Sequence, residues 1–360
     1  MPTLKMQLTW IAVFFISSQL IAQTHAALIS GPEQESLKAS VNMFTPDPIT
    51  AESSWAKAFQ LEQLWELATG KGVSLAICDS GFLLGEADLD GNLYLDRALD
   101  TINENRSIDD SRFADQGTAS LSIIASLQNG FGMSGIAFDA KILPLQFYHF
   151  NQVLDQGKGL SEASARCILH AIKDKDISIL LLQSSTYRGS AEADEVVRAA
   201  LAQATKSGII VVLPAGDSSK ELVTEKINPS NSIIVGAALT AGNQALFSNY
   251  GSRVNVAAYG ENVKAYFGRG RYESLVGTIA ASSQIAGLSA LMKQVNPCLL
   301  PEDAARVFAQ TNIITDRNVR IGGLVNPVAA LQKASMLPCQ MNKMNQATEY
   351  RRQLVEKLKR

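Results

Sequence analysis

The chain has 360 residues, enough for one large α/β domain or two small ones. It is 46% hydrophobic and 18% charged with a net charge of −2, the balance of an ordinary globular protein. No charge excess points to nucleic acid or to a membrane surface as a partner.

Lys5 precedes an apolar run, "LTWIAVFFISSQLI", over 8–21, and "AQTHAA" then offers small residues at Thr24 and Ala26. This layout predicts a signal peptide over 1–26, cleaved after Ala26. The run is short for a spanning helix and lacks a basic stop-transfer flank, so no membrane span is expected in the mature protein. No Cys follows it, which argues against a lipoprotein. An exported protein, periplasmic or extracellular, is expected.

Residues 27–54 are polar and proline-bearing without a period, and read as an irregular arm. A helix is expected over 54–67, "SWAKAFQLEQLWEL". Strands and helices then alternate. "GVSLAICDS" is a strand, "GTASLSIIASL" a helix, "GIAFDAKILPLQFY" a strand region and "LSEASARCILHAIKDK" a helix. "ISILLLQSS" is a strand and "SAEADEVVRAALAQATKSG" a helix. "IIVVLPAG", "SIIVGAAL" and "VNVAAYG" are further strands, and the closing helices lie in 274–297 and in "PEDAARVFAQT".

The strands are continuous apolar runs, as expected when both faces of a parallel sheet are covered. Alternation without an internal linker or repeat predicts a single doubly wound α/β domain over 55–335, its mainly parallel sheet covered by helices on both faces. The tail, 336–360, reads as a basic, weakly amphipathic helix with Tyr350, Leu354 and Leu358 on one face.

In an oxidising compartment, Cys298 and Cys339, in two Pro-Cys turns flanking one helical segment, are expected to pair. Cys78, in an apolar strand, and Cys167, in an apolar helix, read as buried thiols. His25 leaves with the signal peptide, and His149 and His170 are too few and too scattered for a metal-ligand set.

In an open parallel sheet, chemistry sits at the carboxyl ends of strands. Four such places stand out: Asp79 in "AICDSG", Gln116 opening the helix of "DQGTAS", Asp217 in "VVLPAGDS", and Ile279 in "VGTIAAS". Together with "TGKGV", "EADLDGN", "NGFGMSGIAFDAKILPL" and "FSNYGSRVNVAAYG", these segments, in this order, resemble the subtilisin-like serine proteases, the subtilases, over about 55–331.

The resemblance implies an Asp that orients a His, a His that deprotonates a Ser, and an Asn that donates to the oxyanion. Carried over by position, the Asp is Asp79. The His position holds Gln116, the Ser position Ile279 and the oxyanion Asn position Asp217. A Gln amide accepts no proton near neutral pH, Ile has no lone pair, and an Asp places negative charge where negative charge must develop. Asp79 is then expected to be held by backbone N–H groups and the Gln116 amide.

The substrate strand implied by the resemblance ends in Gln183, Ser184 and Ser185, without the glycine that close approach of a peptide needs. Residues 27–54 are also too few for a propeptide domain. No cofactor is expected, and structural calcium is left open, since "EADLDGN" does not fit an EF-hand loop and the acidic stretch 96–115 reads as solvated surface.

The reading is a subtilase fold without protease activity that binds a protein or peptide partner. One rival is a serine endopeptidase with relocated residues, Ser282 or Ser283 acting with His149 or His170. Another is a structural envelope or secretion component in which the groove is idle.

Overall fold

The computed structural model describes residues 45–109, 115–147, 158–183, 191–222, 231–313 and 321–359. It opens with three short helices, α1 (Pro48–Glu52), α2 (Ser54–Ala58) and α3 (Leu61–Trp65). The arm read as irregular is therefore helical from Pro48, a residue whose missing N–H costs nothing in a first turn. Asp47 and Thr50 are buried and bonded to Ser134, with Asp47 N–H donating to Oγ at 3.0 Å and Thr50 Oγ1 to the carbonyl at 3.1 Å.

The single helix expected over 54–67 breaks at Gln60, which is left-handed at φ 61°. At about 100° per residue, one straight helix would put Trp55 and Phe59 on one side and Leu61, Leu64 and Trp65 on the other. The break lets all five bury, each at 2% exposure or less.

Seven parallel strands follow: β1 (Ser74–Asp79), β2 (Leu99–Asp100), β3 (Lys141–Gln146), β4 (Ile177–Leu182), β5 (Ile210–Pro214), β6 (Ile233–Ala238) and β7 (Val256–Tyr259). Their order is β2-β3-β1-β4-β5-β6-β7. The register aligns Asp79 with Gln146 and Cys78 with Leu182, so the carboxyl ends of β3, β1 and β4 lie side by side. Every residue of β1, β5, β6 and β7 is buried, which requires a covering layer on each face.

Helices α4 (Asp115–Ala125) and α7 (Thr278–Val295) pack together against the sheet, and α5 (Lys158–Lys173) packs with α6 (Ala191–Lys206). Close approach makes two glycines obligatory. A Cβ on Gly117 would stand 2.0 Å from Gly81 O, and one on Gly287 2.9 Å from Ile136 Cβ. An antiparallel hairpin, β8 (Val263–Tyr266) and β9 (Tyr272–Leu275), leads directly into α7. Helices α8 (Pro301–Thr311), α9 (Pro327–Met336) and α10 (Met341–Leu358) close the chain. From Pro46 onward it forms one compact unit.

Cys298 and Cys339 are bonded, with Cα atoms 5.2 Å apart, and the bridge spans two helices, α8 and α9, rather than one. Cys78 and Cys167, read as separate buried thiols, are also bonded, with Cα atoms 6.3 Å apart. The correction has a plain cause: α5 crosses β1 and sets Cys167 over Cys78.

The tail is the helix expected, and one arginine docks it. Arg351 donates to Ile172 O and Ile177 O at 2.8 Å, to Ala171 O at 3.2 Å, and to Asp174 O. It thereby satisfies carbonyls left open at the C-terminus of α5.

Candidate functional site

Three adjacent strands deliver the site. Asp79 ends β1, Gln183 follows β4, and Asp217 follows β5. Gln116 stands in the first turn of α4 and Ile279 in the first turn of α7.

Asp79 is 1% exposed. Its Oδ1 accepts Ser80 N–H at 2.7 Å and the Gln116 amide at 3.3 Å, and its Oδ2 accepts the Ser120 hydroxyl at 2.9 Å. Burial outweighs these donors and pushes its carboxyl up to about 6. Ser120 escaped the sequence reading. The signal was there, because residues four apart on a helix share a face, and Gln116 and Ser120 are such a pair.

Gln183 is the hub of what lies beneath. Its Nε2 is within hydrogen-bond reach of Ser120 Oγ at 3.1 Å, Ile279 O at 3.1 Å and Ser283 Oγ at 2.9 Å. Its Oε1 accepts the Ser282 hydroxyl at 2.9 Å. Ser282 and Ser283 are fully buried, and both also reach Ile279 O, at 3.0 and 2.9 Å. One polar network thus runs from Asp79 to the first turn of α7. Ser184, Ser185 and His149 lie outside the described residues.

Ile279 itself is half-buried. The turn before it is closed by reciprocal bonds. Asp217 Oδ1 accepts Thr278 N–H at 2.8 Å, and Thr278 Oγ1 accepts Gly216 N–H at 3.0 Å. A carboxylate at the N-terminus of a long buried helix is well placed for the helix dipole.

His170 falls elsewhere. It lies near the C-terminal end of α5, bonded to the Arg97 backbone, and burial lowers its pKa. That end of α5 precedes the amino end of β4, opposite the end that carries Gln183.

Among the described residues, no group of three or more His, Cys, Asp or Glu is placed to hold a metal. Two buried carboxylates do converge on one loop. Asp47 accepts the N–H groups of Asn129 and Gly130 at 3.1 and 2.8 Å, and Asp88 accepts Met133 N–H at 3.1 Å and the Asn129 amide at 3.2 Å. Burial raises Asp88 to about 6. In the acidic stretch, Asp100 caps its own turn through Ile102 N–H at 2.9 Å, and Asp115 pairs with Arg271 at 2.7 Å. A shallow cavity of about 320 Å³ between α1 and α3 is lined by none of the site residues.

The sequence matches the Subtilase family, Peptidase_S8, over residues 70–336. It is 28% identical to Subtilisin BL of Lederbergia lenta over 263 residues, which cover 73% of this chain and 91% of that protein. It is 27% identical to M-protease of Shouchella clausii (strain KSM-K16), covering 73% of this chain but 65% of that protein's length. Among solved structures, a protease of Pseudoalteromonas arctica PAMC 21717 superposes with a TM-score of 0.66 at 23% identity, over 81% of this chain and 100% of that one. MycP1 with its N-terminal propeptide removed superposes with a TM-score of 0.60 at 23% identity, over 78% and 96%.

A parallel sheet of this order, with its polar residues gathered at the carboxyl ends of β1, β4 and β5, defines a single α/β domain of the subtilisin fold. The chain belongs to the subtilase family.

Proposed function

We propose that this chain is an exported subtilase without proteolytic activity, which acts by binding a protein or peptide at the carboxyl ends of its strands. The observation that carries this reading is the Gln116 amide, which donates to Asp79 Oδ1 at 3.3 Å in the place where the resemblance requires a base. An amide orients there but takes no proton. Ile279 brings no nucleophile, and Asp217 brings an acceptor where a donor is needed.

The rival with relocated residues loses support from the same geometry. Ser282 and Ser283 are buried and hold Gln183 and Ile279 O, and His170 is at the far end of α5. Export is supported by the layout of residues 1–26 and by two disulfides, which suit an oxidising compartment.

The test is labelling by a fluorophosphonate probe, which needs an activated serine. Disulfide-intact mature protein should stay unlabelled beside an active subtilisin that labels fully. Labelling that survives in Ile279→Ala and is blocked by a serine-protease inhibitor would overturn the reading.

A further inference from the structure

Three sulfur atoms meet beyond the C-terminus of α7, the end opposite Ile279. Cys298 and Cys339 are bonded there, and the Met341 thioether stands 3.2 Å from Cys339 Sγ. Cys339 is exposed, Met341 is 52% exposed and Cys298 is half-buried, so small solutes reach the group. The binding role proposed above uses none of the three.

The backbone around these sulfurs is held by more than the S–S bond. Asn296 is buried, and its amide donates to Ala334 O at 3.0 Å and to Leu337 O at 3.1 Å, while its Oδ1 accepts Cys298 N–H at 3.2 Å. One side chain thus ties the Cys298 turn to the segment that leads into Cys339. Lys293 Nζ donates to Pro297 O at 2.8 Å and Leu299 O at 3.0 Å, the carbonyls on either side of Cys298. Past Cys339, the Gln340 amide donates to Asp303 at 3.3 Å, and Arg351 holds α10 to the body. These bonds keep the two cysteine Cα atoms, 5.2 Å apart, close together when the sulfurs are unlinked.

We infer that reduction of the Cys298–Cys339 bond creates a site for a soft monovalent metal ion, Cu(I), built from the two thiolates and the Met341 thioether. A dithiol supplies the two electrons and two protons: the S–S bond breaks, two thiols form, and the dithiol leaves as its own disulfide. Cu(I) then displaces both thiol protons and takes three sulfur ligands, the kind that soft ions select. An ion that bonds sulfur at about 2.3 Å in a trigonal plane asks for sulfurs about 4 Å apart. The 3.2 Å between Cys339 and Met341 is about 1 Å short of that, and side-chain rotation separates the two thiolates. Zinc, which takes four protein ligands in a structural site, is left one short. The disulfide form offers no thiolate, so redox state opens and closes the site.

The test uses the mature protein after mild reduction that leaves the fully buried Cys78–Cys167 bond intact. Without oxygen, Cu(I) is titrated in against a colorimetric Cu(I) chelator. Reduced protein should take up one ion per chain and unreduced protein none, and X-ray absorption at the copper edge should show three sulfur neighbours. Met341→Leu keeps the bulk and both thiols, and should lower affinity about tenfold or more, as loss of even an outer-shell partner does. It should also leave two sulfur neighbours. Cys339→Ser should abolish uptake.

No uptake by the reduced protein, an affinity unchanged in Met341→Leu, or uptake that persists in Cys339→Ser overturns the inference. Circular dichroism of the reduced protein is a further check. Loss of the folded spectrum on mild reduction overturns it too, because bracing by Asn296 is what keeps the sulfurs together. Fluorophosphonate labelling reports on the proposed function separately and does not bear on this site.

Discussion

Ser120 and Asp79 stand 2.9 Å apart between α4 and β1, the serine hydroxyl donating to Oδ2. Gln116, one turn earlier on α4, donates to the other oxygen, so one helix face holds both sides of the carboxylate. Gln183 then passes the network on to Ser282 and Ser283. The arrangement satisfies a buried acid and braces β1, α4, β4 and α7 against one another.

Burial nevertheless pushes Asp79 up from 3.8 to about 6, which sets the sign of a pH dependence. Because the folded value lies above the unfolded one, losing the proton costs more in the folded chain. The penalty is complete above about pH 6 and gone below about pH 4, and amounts to about 3 kcal/mol at neutral pH. Asp79→Asn removes it. Denaturant titrations of parent and variant should give a difference that favours the variant more at pH 7.5 than at pH 4.5. A difference that stays constant across that range refutes the assignment.

Ile279→Ser alone should leave the protein unlabelled by fluorophosphonates. The resemblance assigns the role of base to the position of Gln116, and an amide takes no proton. Adding Gln116→His and Asp217→Asn restores the three groups that the family resemblance requires, and slow labelling is expected of that triple variant. Labelling of the single variant would show that another group serves it as base.

The two disulfides should respond differently to reductant. Cys339 is exposed, whereas Cys78 and Cys167 are fully buried. Denatured, unreduced protein should show no free thiol. Brief, mild reduction of the folded protein should release two, mapping to Cys298 and Cys339, because exchange needs a thiolate to reach a sulfur. Release of Cys78 and Cys167 first would contradict the fold around β1.

Much of this was legible in the chain. The strands β1 and β4 to β7 are continuous apolar runs, and only a sheet covered on both faces asks for that. The four site positions, Asp79, Gln116, Asp217 and Ile279, were implied by the family resemblance rather than by any pattern of spacing. The hairpin β8–β9 was overlooked, although "VKAYFGRGRYESL" alternates and turns at glycines. The break at Gln60 was not legible, because it is imposed by two apolar sets that must face one core. The same holds for Cys78 with Cys167, 89 residues apart, whose pairing depends on where α5 crosses the sheet. The Gln183 network joins three distant segments and has no local signature at all.

The tail gives the last prediction. Its helix was legible from spacing, with Tyr350, Leu354 and Leu358 on one face, but it is Arg351 that bonds to the body of the protein. No residue of α10 is fully buried, so apolar contact alone holds it weakly. Arg351 meets four backbone carbonyls, at Ala171, Ile172, Asp174 and Ile177, just where α5 ends and β4 begins. Desolvation by burial lowers its pKa, yet a guanidinium keeps its charge at any working pH. Arg351→Ala should therefore cost about 2–3 kcal/mol, since it leaves acceptors without a donor as well as losing a fork. Arg351→Lys should recover only part, because one ammonium cannot span carbonyls on both α5 and β4. Denaturant midpoints measure the cost, and hydrogen exchange of α10 shows whether the helix has come loose. An alanine variant as stable as the parent, with α10 still protected, would mean that the docking rests on the disulfide and the apolar face instead.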